Sequence, residues 1–379
     1  MSNLKKLNLG FFLTEKMSLH AWDKHGMLTR ELAPYNKLAK EFHKIYLFTY
    51  FGESELKFKR YLADNIEIVY KRERMPGSWY RWLMPFLRLR QVRSCHIFKT
   101  NQFKVRASLI AKIINPKAKL VIRTGYIYSR FILKQLKNIP WWVKLWEQHT
   151  FKRADIIFVA SQGDKDYVSY VYQINRYKIE VIPNYIDTNL FKLDSEVKKY
   201  EDRVLFFGKI DPQKNIELLI NALAGTRIKL DIAGGVLKKV NGDVYRQELL
   251  NIAKEKEVQI SLLGRIPNEI VPSVLNKYKV FILPSLYEGT PKTLLEAMSC
   301  SLGCIATDVE GSCEVIKHEY NGLLVDLDEL ELKLAIQRLF ADSSLLLRLG
   351  QNAREDIMDN YSLDKYIQKE ISIYEKLTQ

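Results

Sequence analysis

The chain has 379 residues, of which 47% are hydrophobic, and carries a formal net charge of +15 at pH 7. This length exceeds one ordinary domain and suits two, each with a sizeable hydrophobic core. No stretch reaches the roughly 18 uncharged apolar residues that a membrane-spanning helix needs, so we expect a chain that does not cross a membrane.

The first half alternates short apolar runs with amphipathic segments, which predicts parallel strands separated by helices. The predicted strands are residues 6–13, 43–50, 66–70, 95–98, 120–122, 156–160 and 179–182. Helices are predicted over residues 27–42 and 105–114. The first run lacks the small-residue cleavage site of a secretory signal, so we expect a cytoplasmic protein.

Charge and tryptophan are concentrated in the first half. Residues 1–186 hold 34 Lys and Arg against 14 Asp and Glu, a net of +20, whereas residues 187–379 hold 25 against 30, a net of −5. All six tryptophans lie in the basic half, and residues 71–93 and 131–152 interleave aromatic, aliphatic and cationic side chains. Such segments suit an anionic membrane surface, although core aromatics with solvated cations give the same pattern. Nucleic acid is not expected as a partner, because no nucleic-acid-binding motif is visible.

The second half repeats the strand and helix alternation. Its predicted strands are residues 204–207, 229–232, 259–262, 280–283, 303–307 and 322–325, with helices over 216–224 and 271–278. The polar stretch 192–202 marks the junction, which predicts an N-terminal domain over 1–186, a C-terminal domain over 187–361 and a final helix over 362–379. The fold class is therefore α/β, with two doubly wound, Rossmann-like domains facing a central cleft. In such sheets ligands bind beyond the carboxyl ends of the strands.

Residues 284–297 are the most informative segment, because they follow a buried strand and open a helix. Thr290 and Pro291 are predicted as the helix N-cap and the first helical residue. Glu288 then lies in the loop and Glu296 lies inside the helix. A helix N-terminus can hold a phosphate, and carboxylates accept hydrogen bonds from hydroxyl groups. The segment therefore suits a sugar joined to a nucleotide diphosphate.

Three turns after other strands could contribute to the same site. Gly208 permits close backbone approach, and Lys209 and Lys214 place two ammonium groups where they could neutralise a diphosphate. An ordinary basic loop would look the same. The turns at 232–235 and 263–267 could approach a nucleotide, with Arg265 beside the base, and plain loops are equally compatible. Asn215 is predicted to cap the helix over 216–224.

Two metal interpretations have simpler alternatives. Cys300, Cys304 and Cys313 are expected to be small buried residues around a helix end, since a chain of this size in a reducing cytoplasm needs no disulfide framework. Asp326 and Asp328 match an acidic triplet, but they precede a helix and are expected to form its solvated start. No metal site is predicted.

Taken together, Gly208-Lys-Ile…Lys214, the segment 284–298, Gly311-Ser-Cys-Glu314 and Asn321-Gly-Leu-Leu-Val325 resemble the signature blocks of the retaining group-4 glycosyltransferases of GT-B fold, which carry a glycosyl transferases group 1 domain. The resemblance is strong over residues 155–325. It implies a C-terminal helix that packs back on the N-terminal domain. It also implies transfer of a sugar from a nucleotide-diphosphate donor with retention of configuration, with no cofactor and no metal.

The resemblance also implies roles for individual residues. Lys209 and Lys214 would bind the donor diphosphate, Glu288 the hydroxyls of the donor sugar, and Glu296 the ribose. Glu288, Lys209 and Lys214 form the predicted catalytic set. The donor-binding set comprises Gly208, Arg265, Gly289, Thr290, Pro291, Lys292, Thr293 and Glu296. The leaving phosphate would deprotonate the attacking hydroxyl on the same face of the sugar.

The acceptor side is less well marked. Many family members place a histidine after the strand at 120–122, whereas this chain has Arg123, Thr124 and Tyr126 there. Together with Gly26 and Asn101 these residues are acceptor-side candidates, and packing or loop roles are equally open.

The expected function is a retaining, metal-independent hexosyltransferase that acts on a glycan acceptor. We expect this acceptor to be lipid-linked, as in the synthesis of bacterial surface polysaccharides such as lipopolysaccharide, capsule or exopolysaccharide. We place the enzyme at the inner face of the cytoplasmic membrane. Alternatives are a glycosyltransferase for a soluble or protein acceptor and a basic protein that binds nucleic acid or membranes. A nucleotide-cofactor oxidoreductase is disfavoured because neither first strand is followed by a Gly-x-Gly-x-x-Gly turn.

Overall fold

The computed structural model describes residues 3–15, 17–102, 105–125, 127–136, 139–236 and 242–379. The chain forms two compact units. The first unit comprises Met1–Pro183 together with Tyr366–Gln379, and the second comprises Asn184–Lys365. Within the described residues, no helix combines the length and apolar character that crossing a bilayer requires.

The first unit is built on a seven-stranded parallel sheet in the order β3-β2-β1-β4-β5-β6-β7. Its strands are β1 (Asn8–Phe12), β2 (Lys44–Phe48), β3 (Ile66–Val69), β4 (Ile97–Thr100), β5 (Lys119–Arg123), β6 (Ile156–Val159) and β7 (Ile179–Val181). The central strand β1 is an almost continuous apolar run with Leu9, Phe11 and Phe12 fully buried, as expected for a parallel strand covered on both faces.

Helices separate the strands of this unit. They are α1 (Leu19–Lys24), α2 (Leu28–Ala39), α3 (Gly77–Leu87), α4 (Leu89–Ser94), α5 (Arg106–Ile114), α6 (Tyr128–Leu136), α7 (Trp141–Arg153) and α8 (Gln162–Tyr172). The sequence did not predict α1. Its start is fixed locally, because the Ser18 hydroxyl accepts a hydrogen bond from the amide of Ala21 at 2.9 Å.

The second unit has a six-stranded parallel sheet in the order β10-β9-β8-β11-β12-β13. Its strands are β8 (Arg203–Phe207), β9 (Lys229–Ala233), β10 (Ile260–Gly264), β11 (Val280–Leu283), β12 (Gly303–Thr307) and β13 (Leu323–Val325). Its helices are α9 (Ile216–Leu223), α10 (Gly242–Glu255), α11 (Val271–Leu275), α12 (Lys292–Ser299), α13 (Glu310–Cys313), α14 (Glu329–Ala341) and α15 (Ser343–Asn360).

The predicted α/β class and the two doubly wound units are confirmed, while several predicted element boundaries differ from the observed ones, and two of them have a clear local cause. Strand β4 begins two residues later than predicted, because Cys95 still belongs to the end of α4 and donates its amide to Val92 O at 3.3 Å. Helix α11 ends at Leu275 instead of residue 278. The Asn276 side chain closes that end by donating to Pro272 O and to Lys192 O, each at 2.9 Å.

The final helix, α16 (Leu363–Thr378), returns to the first unit from Tyr366 onward, as the sequence predicted. A fully buried ion pair joins the Glu370 carboxylate to Lys99 Nζ on β4, and the Tyr374 hydroxyl donates to the same carboxylate. The Tyr374 ring packs edge-on against Phe42 at 5.8 Å between centroids. A buried charge pair with this additional donor ties α16 to the first sheet.

Candidate functional site

The candidate site lies at the carboxyl edge of the second sheet, where the turns after β8, β9 and β10 are joined through their backbones. The amide of Gly208 donates to Ala233 O at 2.9 Å, and the amide of Gly234 donates to Gly264 O at 2.8 Å. Three glycine-bearing turns that the sequence treated separately therefore form one continuous surface.

Gly234 is required for this junction. Its φ is +150°, and a Cβ atom there would lie 1.7 Å from Gly208 O. The backbone approach that the sequence predicted for this turn is thus made to another loop of the protein. A Cβ on the neighbouring Gly235 would lie 3.2 Å from the Arg265 guanidinium. The exposed Arg265 side chain therefore lies beside this turn.

Lys214 and Glu288 form the charged centre of the site. Lys214 Nζ lies 2.5 Å from Glu288 Oε1, and the Ser285 hydroxyl donates to the same oxygen at 2.6 Å. Both side chains are largely buried, with exposed fractions of 14% for Lys214 and 7% for Glu288. The structure therefore brings together two predicted catalytic residues that are 74 positions apart in sequence.

One backbone hydrogen bond and one from a side chain hold these two loops in register. Leu286 N donates to Gln213 O at 2.9 Å, and Gln213 Nε2 donates to Tyr287 O at 2.8 Å. The loop that carries Lys214 and the loop that carries Glu288 are thus hydrogen-bonded to each other next to the ion pair. These contacts fix the relative position of the two loops that carry the ion pair.

Asp211 is a site residue that the sequence analysis passed over. Burial raises the pKa of its carboxyl group, while the charges of Lys214 and Lys209 oppose that shift. Its Oδ1 atom is buried and accepts no hydrogen bond from the described residues. Lys209 itself is exposed. The only sequence signal was an aspartate between two lysines, which any polar loop could contain.

The loop that carries Glu288 is held on a second side by α13. A Cβ on Gly311 would lie 1.5 Å from Gly289 O and 2.8 Å from the carbonyl carbon of Glu288. Asn184 Nδ2 also donates to Thr290 O at 2.9 Å. In the sequence, Gly311 was noted only as part of a segment that resembles a family signature. The structure explains why glycine is needed there, because a side chain would collide with Gly289 O.

The predicted start of the glutamate helix is wrong by one residue. Pro291 occupies the N-cap position with ψ 106°, and no side chain caps the helix there. Proline fixes φ but leaves ψ free, so Pro291 stays extended, and Leu295 N donates to Pro291 O at 3.2 Å. Thr290 is buried in the preceding loop. The amides of Lys292 and Thr293 therefore form the first helical turn, at the end where an anion is favoured.

Two further predictions have clear structural outcomes. Asn215 does occupy the N-cap position of α9, but its side chain makes no capping hydrogen bond. Its backbone adopts the left-handed conformation there, with φ +48°. Asp328 caps α14 by accepting from the amides of Leu330 and Glu331 at 2.9 Å, so the helix-start interpretation of the acidic triplet is confirmed.

Glu296 lies on the second turn of α12 and is only 3% exposed. A carboxylate at this depth requires hydrogen-bond or charge partners to remain ionised. Lys292, on the first turn, places its Nζ 5.9 Å from the centroid of the Tyr185 ring.

The acceptor-side candidates all lie in the first unit. Asn101 follows β4 and accepts from the Tyr35 hydroxyl at 3.2 Å, and Arg123 ends β5 with its Cζ 5.0 Å from the Tyr366 ring centroid. Thr124 is 2% exposed. The structure places these three at the carboxyl ends of neighbouring strands. Gly26 lies in the turn between α1 and α2 with φ +62°, and Tyr126 lies outside the described residues.

The tryptophans of the basic half are mostly not core residues. Trp22 is buried, but Trp79 and Trp141 are 67% and 72% exposed, and Trp82 and Trp142 are about half exposed. The interpretation of these aromatics as core filling is therefore wrong for four of the six.

Among the described residues, no group of three or more His, Cys, Asp and Glu side chains is placed to hold a metal ion. Cys95, Cys300 and Cys304 are buried free thiols, whereas Cys313 is exposed, contrary to the prediction. Cys313 ends the short helix α13, whose buried residues are Gly311 and Ser312.

Two family models match the chain. A model described as "Glycosyl transferases group 1" matches residues 188–356, and one described as "Glycosyltransferase Family 4" matches residues 30–190. The first covers the loops of the candidate site, and the second covers most of the first unit.

Several curated proteins are similar in sequence. UDP-Gal:alpha-D-GlcNAc-diphosphoundecaprenol alpha-1,3-galactosyltransferase of Escherichia coli is 25% identical over 266 residues, which are 66% of this chain and 67% of that protein. The amylovoran biosynthesis glycosyltransferase AmsD of Erwinia amylovora is 25% identical over 69% of this chain and 72% of that protein. An uncharacterized glycosyltransferase of Methanocaldococcus jannaschii is 31% identical over 46% of this chain, which spans about half (48%) of that relative.

Solved structures match along almost the entire chain. Sucrose-phosphate synthase from Thermosynechococcus elongatus superposes with a TM-score of 0.75 at 19% identity, covering 98% of this chain and 99% of that one. The HepE protein of Anabaena in complex with UDP superposes with a TM-score of 0.76 at 17% identity, with the same coverage. At these identities the similarity shows the fold.

Proposed function

Because this chain belongs to the GT-B glycosyltransferases that carry the group 1 domain, we propose that it transfers a sugar from a nucleoside-diphosphate donor to a glycan acceptor with retention of anomeric configuration. The observation that carries the proposal is the Lys214–Glu288 pair at the carboxyl edge of the second sheet. The pair stands beside the N-terminus of α12, where backbone amides favour a phosphate.

In the proposed mechanism the bond between the anomeric carbon and the diphosphate oxygen breaks, and negative charge grows on the leaving diphosphate. Lys209 and Lys214 stabilise that charge, and fixed cations do so most effectively when they are held in place before the reaction. A leaving phosphate oxygen takes the proton of the acceptor hydroxyl. The new bond forms on the face that the diphosphate leaves, which retains the configuration.

Glu288 would accept hydrogen bonds from the donor sugar. The Ser285 hydroxyl and the Lys214 ammonium already hold one carboxylate oxygen, which leaves the other for the sugar. Glu296 would bind the ribose. For the donor we propose a uridine diphosphate sugar, since one sequence relative is named for UDP-galactose and one structural neighbour was solved with UDP.

For the acceptor we propose a lipid-linked glycan of a surface polysaccharide pathway, used at the inner face of the cytoplasmic membrane. The Escherichia coli relative is named for a diphosphoundecaprenol-linked acceptor, and the Erwinia amylovora relative is named for amylovoran biosynthesis. The net charge of +20 over residues 1–186 supports attraction to anionic headgroups. Trp79, Leu83 and Phe86 lie at i, i+4 and i+7 on the exposed face of α3, which suits insertion into a membrane interface.

The test begins with the wild-type protein. Thermal shift with a panel of UDP-, GDP- and other nucleotide sugars identifies the donor, and incubation with that donor and lipid-linked acceptors yields product whose anomeric configuration is read by NMR. We expect the donor's configuration in the product. Inversion of configuration would contradict the proposed mechanism.

The site is tested with Glu288→Gln and the matched control Glu355→Gln, which removes an exposed carboxylate on α15 of the same unit. We expect Glu288→Gln to lower kcat by about 100-fold, as for loss of one preorganised polar group in an active site. The control should match wild type. Equal activity in the two variants would refute the assigned site.

Metal independence is tested with EDTA. We propose that the lysines supply the positive charge that a metal would supply in other phosphate sites. Transfer should therefore be unchanged by EDTA and by added Mg²⁺. Loss of activity with EDTA and its recovery with Mg²⁺ would contradict this part of the proposal.

A further inference from the structure

A groove lined by tryptophans opens on the first unit, and none of its lining residues has a role in the proposed transfer. It has a volume of about 790 Å³, within the range of small-molecule sites. Its walls come from α3, α5 and α7. The lining residues are Trp82, Arg106, Trp141, Trp142, Leu145, Trp146, Gln148, His149 and Lys152.

The walls of the groove are ordered by stacking around one arginine. The guanidinium carbon of Arg106 lies 5.1 Å from the centroid of Trp82 and 5.8 Å from that of Trp146. The Trp146 and His149 rings are nearly parallel, at 10° and 6.1 Å between centroids. These cation–π and stacking contacts order the rings of Trp82, Trp146 and His149 around Arg106.

The lining of the groove includes two cationic side chains, of which Arg106 is paired with Glu15 outside the lining. Arg106 and Lys152 are among its lining residues, and none of those residues is acidic. Lys152 makes no ion pair with the described residues. An occupant that combines an apolar chain with an anionic group would satisfy both the aromatic walls and this cation.

The groove is connected to the carboxyl edge of the first sheet. Arg106 begins α5, and its Nη1 lies 2.7 Å from Glu15 Oε2, while its amide donates to Glu15 Oε1 at 3.2 Å. Glu15 stands three residues after the end of β1. Doubly wound sheets bind ligands beyond the carboxyl ends of their strands, so the groove leads outward from the place where an acceptor headgroup is expected.

We propose that this groove binds the apolar chain of a lipid diphosphate acceptor, with the aromatic walls against the first segment of the chain and Lys152 and Arg106 near its phosphates. The proposal rests on the proposed function and deepens it by naming the acceptor's lipid as a ligand of the enzyme. A single chain suits the groove better than a bilayer does, because the lining is a small cluster of aromatic side chains with a cation beside it. The convex face of α3 suits the bilayer.

The experiment titrates the full-length wild-type protein with farnesyl diphosphate, a water-soluble probe that needs no detergent, and follows tryptophan fluorescence. Saturable binding is expected, with farnesol and inorganic pyrophosphate each binding more weakly because each lacks one half of the recognition. Leu145→Glu places a carboxylate at a half-exposed wall position and keeps every tryptophan. We expect this variant to lower the affinity for farnesyl diphosphate at least about tenfold. This is the loss anticipated when one leucine contact with the ligand is removed and a repelling charge is added.

The matched control is Ile113→Glu, the same change at an exposed aliphatic position of α5 outside the groove. It should bind farnesyl diphosphate as wild type does. Lys152→Gln is a milder second variant. It should lower the affinity for farnesyl diphosphate more than the affinity for farnesol. Equal affinity of Leu145→Glu and Ile113→Glu, or pyrophosphate binding as tightly as farnesyl diphosphate, would overturn the proposal. So would wild-type binding to phosphatidylglycerol vesicles without any saturable binding of farnesyl diphosphate.

UDP and UDP-glucose are titrated into the same preparation so that the two proposals fail separately. Nucleotide binding without farnesyl diphosphate binding would overturn the groove assignment alone. Farnesyl diphosphate binding without binding of any nucleotide sugar would overturn the proposed function and leave the groove as a lipid site.

Discussion

The two units share one architecture and use it in opposite ways. In the second unit the charged site residues are drawn inward, with Lys214 and Glu288 paired and largely buried and Glu296 almost fully buried. In the first unit four of the six tryptophans and much of the cationic charge lie on the surface, as Trp79 and Trp141 illustrate. A parallel sheet can thus support a buried polar site or an exposed aromatic and cationic surface, depending on where the connecting helices and loops place their side chains.

The difference follows from how each surface is built. The second unit fixes its site through backbone contacts between neighbouring loops, where Gly234 and Gly311 allow carbonyl groups to approach closely. The first unit fixes its groove through side chains that stack around Arg106. Backbone-built sites constrain sequence tightly, whereas surfaces built from side chains can be made from many sequences.

The largest expected effect separates the ion pairs of the two units. Lys99→Met leaves the buried Glu370 carboxylate without its counter-ion, so we expect a loss of about 3–5 kcal/mol in the free energy of unfolding, measured with urea. Adding Glu370→Gln should restore most of it, because the neutral amide can still accept from Tyr374. No recovery in the double variant would show that the cost is steric.

Lys214→Met is the corresponding change in the second unit. Glu288 keeps the Ser285 donor and, unlike the fully buried Glu370, retains some solvent exposure, so the loss of stability should be smaller than for Lys99→Met, while kcat falls by about 100-fold through loss of a preorganised cation. If both lysine variants unfolded the protein equally, the contrast between a structural and a functional pair would be broken.

The next effect concerns close packing. Gly311→Ala forces a Cβ atom to within 1.5 Å of Gly289 O, so the glutamate loop must shift. We expect a cost of about 1–3 kcal/mol in unfolding free energy together with loss of UDP binding by titration calorimetry. Gly77→Ala, where nothing lies within 4 Å of the added Cβ, is the matched control in the first unit and should be neutral.

A smaller effect tests the exposed face of the first unit. Trp79→Ser should weaken sedimentation with phosphatidylglycerol vesicles by about 1–2 kcal/mol, the contribution of a large apolar side chain at an interface. Tyr177→Ser removes an aromatic of similar exposure away from α3 and should leave binding unchanged. Raised salt should weaken vesicle binding by the two variants equally, since both keep the cationic side chains.

The smallest effect is a pH slope. Burial raises the pKa of Glu147, although hydrogen bonds from Ser129 and Tyr172 oppose this shift. The folded state therefore holds this proton more tightly than the unfolded chain, whose pKa is about 4.3. The stabilising contribution of protonated Glu147 is fully present below that value, and it is lost as pH rises through the raised pKa of the folded state. Glu147→Gln should remove this part of the pH dependence of urea unfolding, and an unchanged slope would contradict it.

The sequence predicted most of the fold and the proximity of Lys214 to Glu288. Continuous apolar runs located all thirteen strands, and the rule that ligands bind at carboxyl ends placed Lys214 near Glu288. It missed Asp211 and the steric role of Gly311, because both depend on contacts between loops that are distant in sequence. It also left the tryptophans ambiguous, since a surface aromatic on a helix such as α3 has the same spacing as a buried one.

The start of α12 shows a different kind of failure. Thr290 followed by Pro291 has the residue types of a helix cap, but the loop uses the Thr290 carbonyl to bond Asn184. Local preference was outweighed by a contact over 106 positions of sequence, which no local pattern reveals.

The pairing of Lys99 with Glu370 has a consequence for biosynthesis. Both residues belong to the first unit, but the ribosome makes the whole second unit between them. While that stretch is being translated, the sheet around β4 has an ammonium group in its interior with no carboxylate to meet it. We expect the nascent first unit to remain partly open until α16 emerges, so that the two units finish folding in the reverse of the order in which they begin.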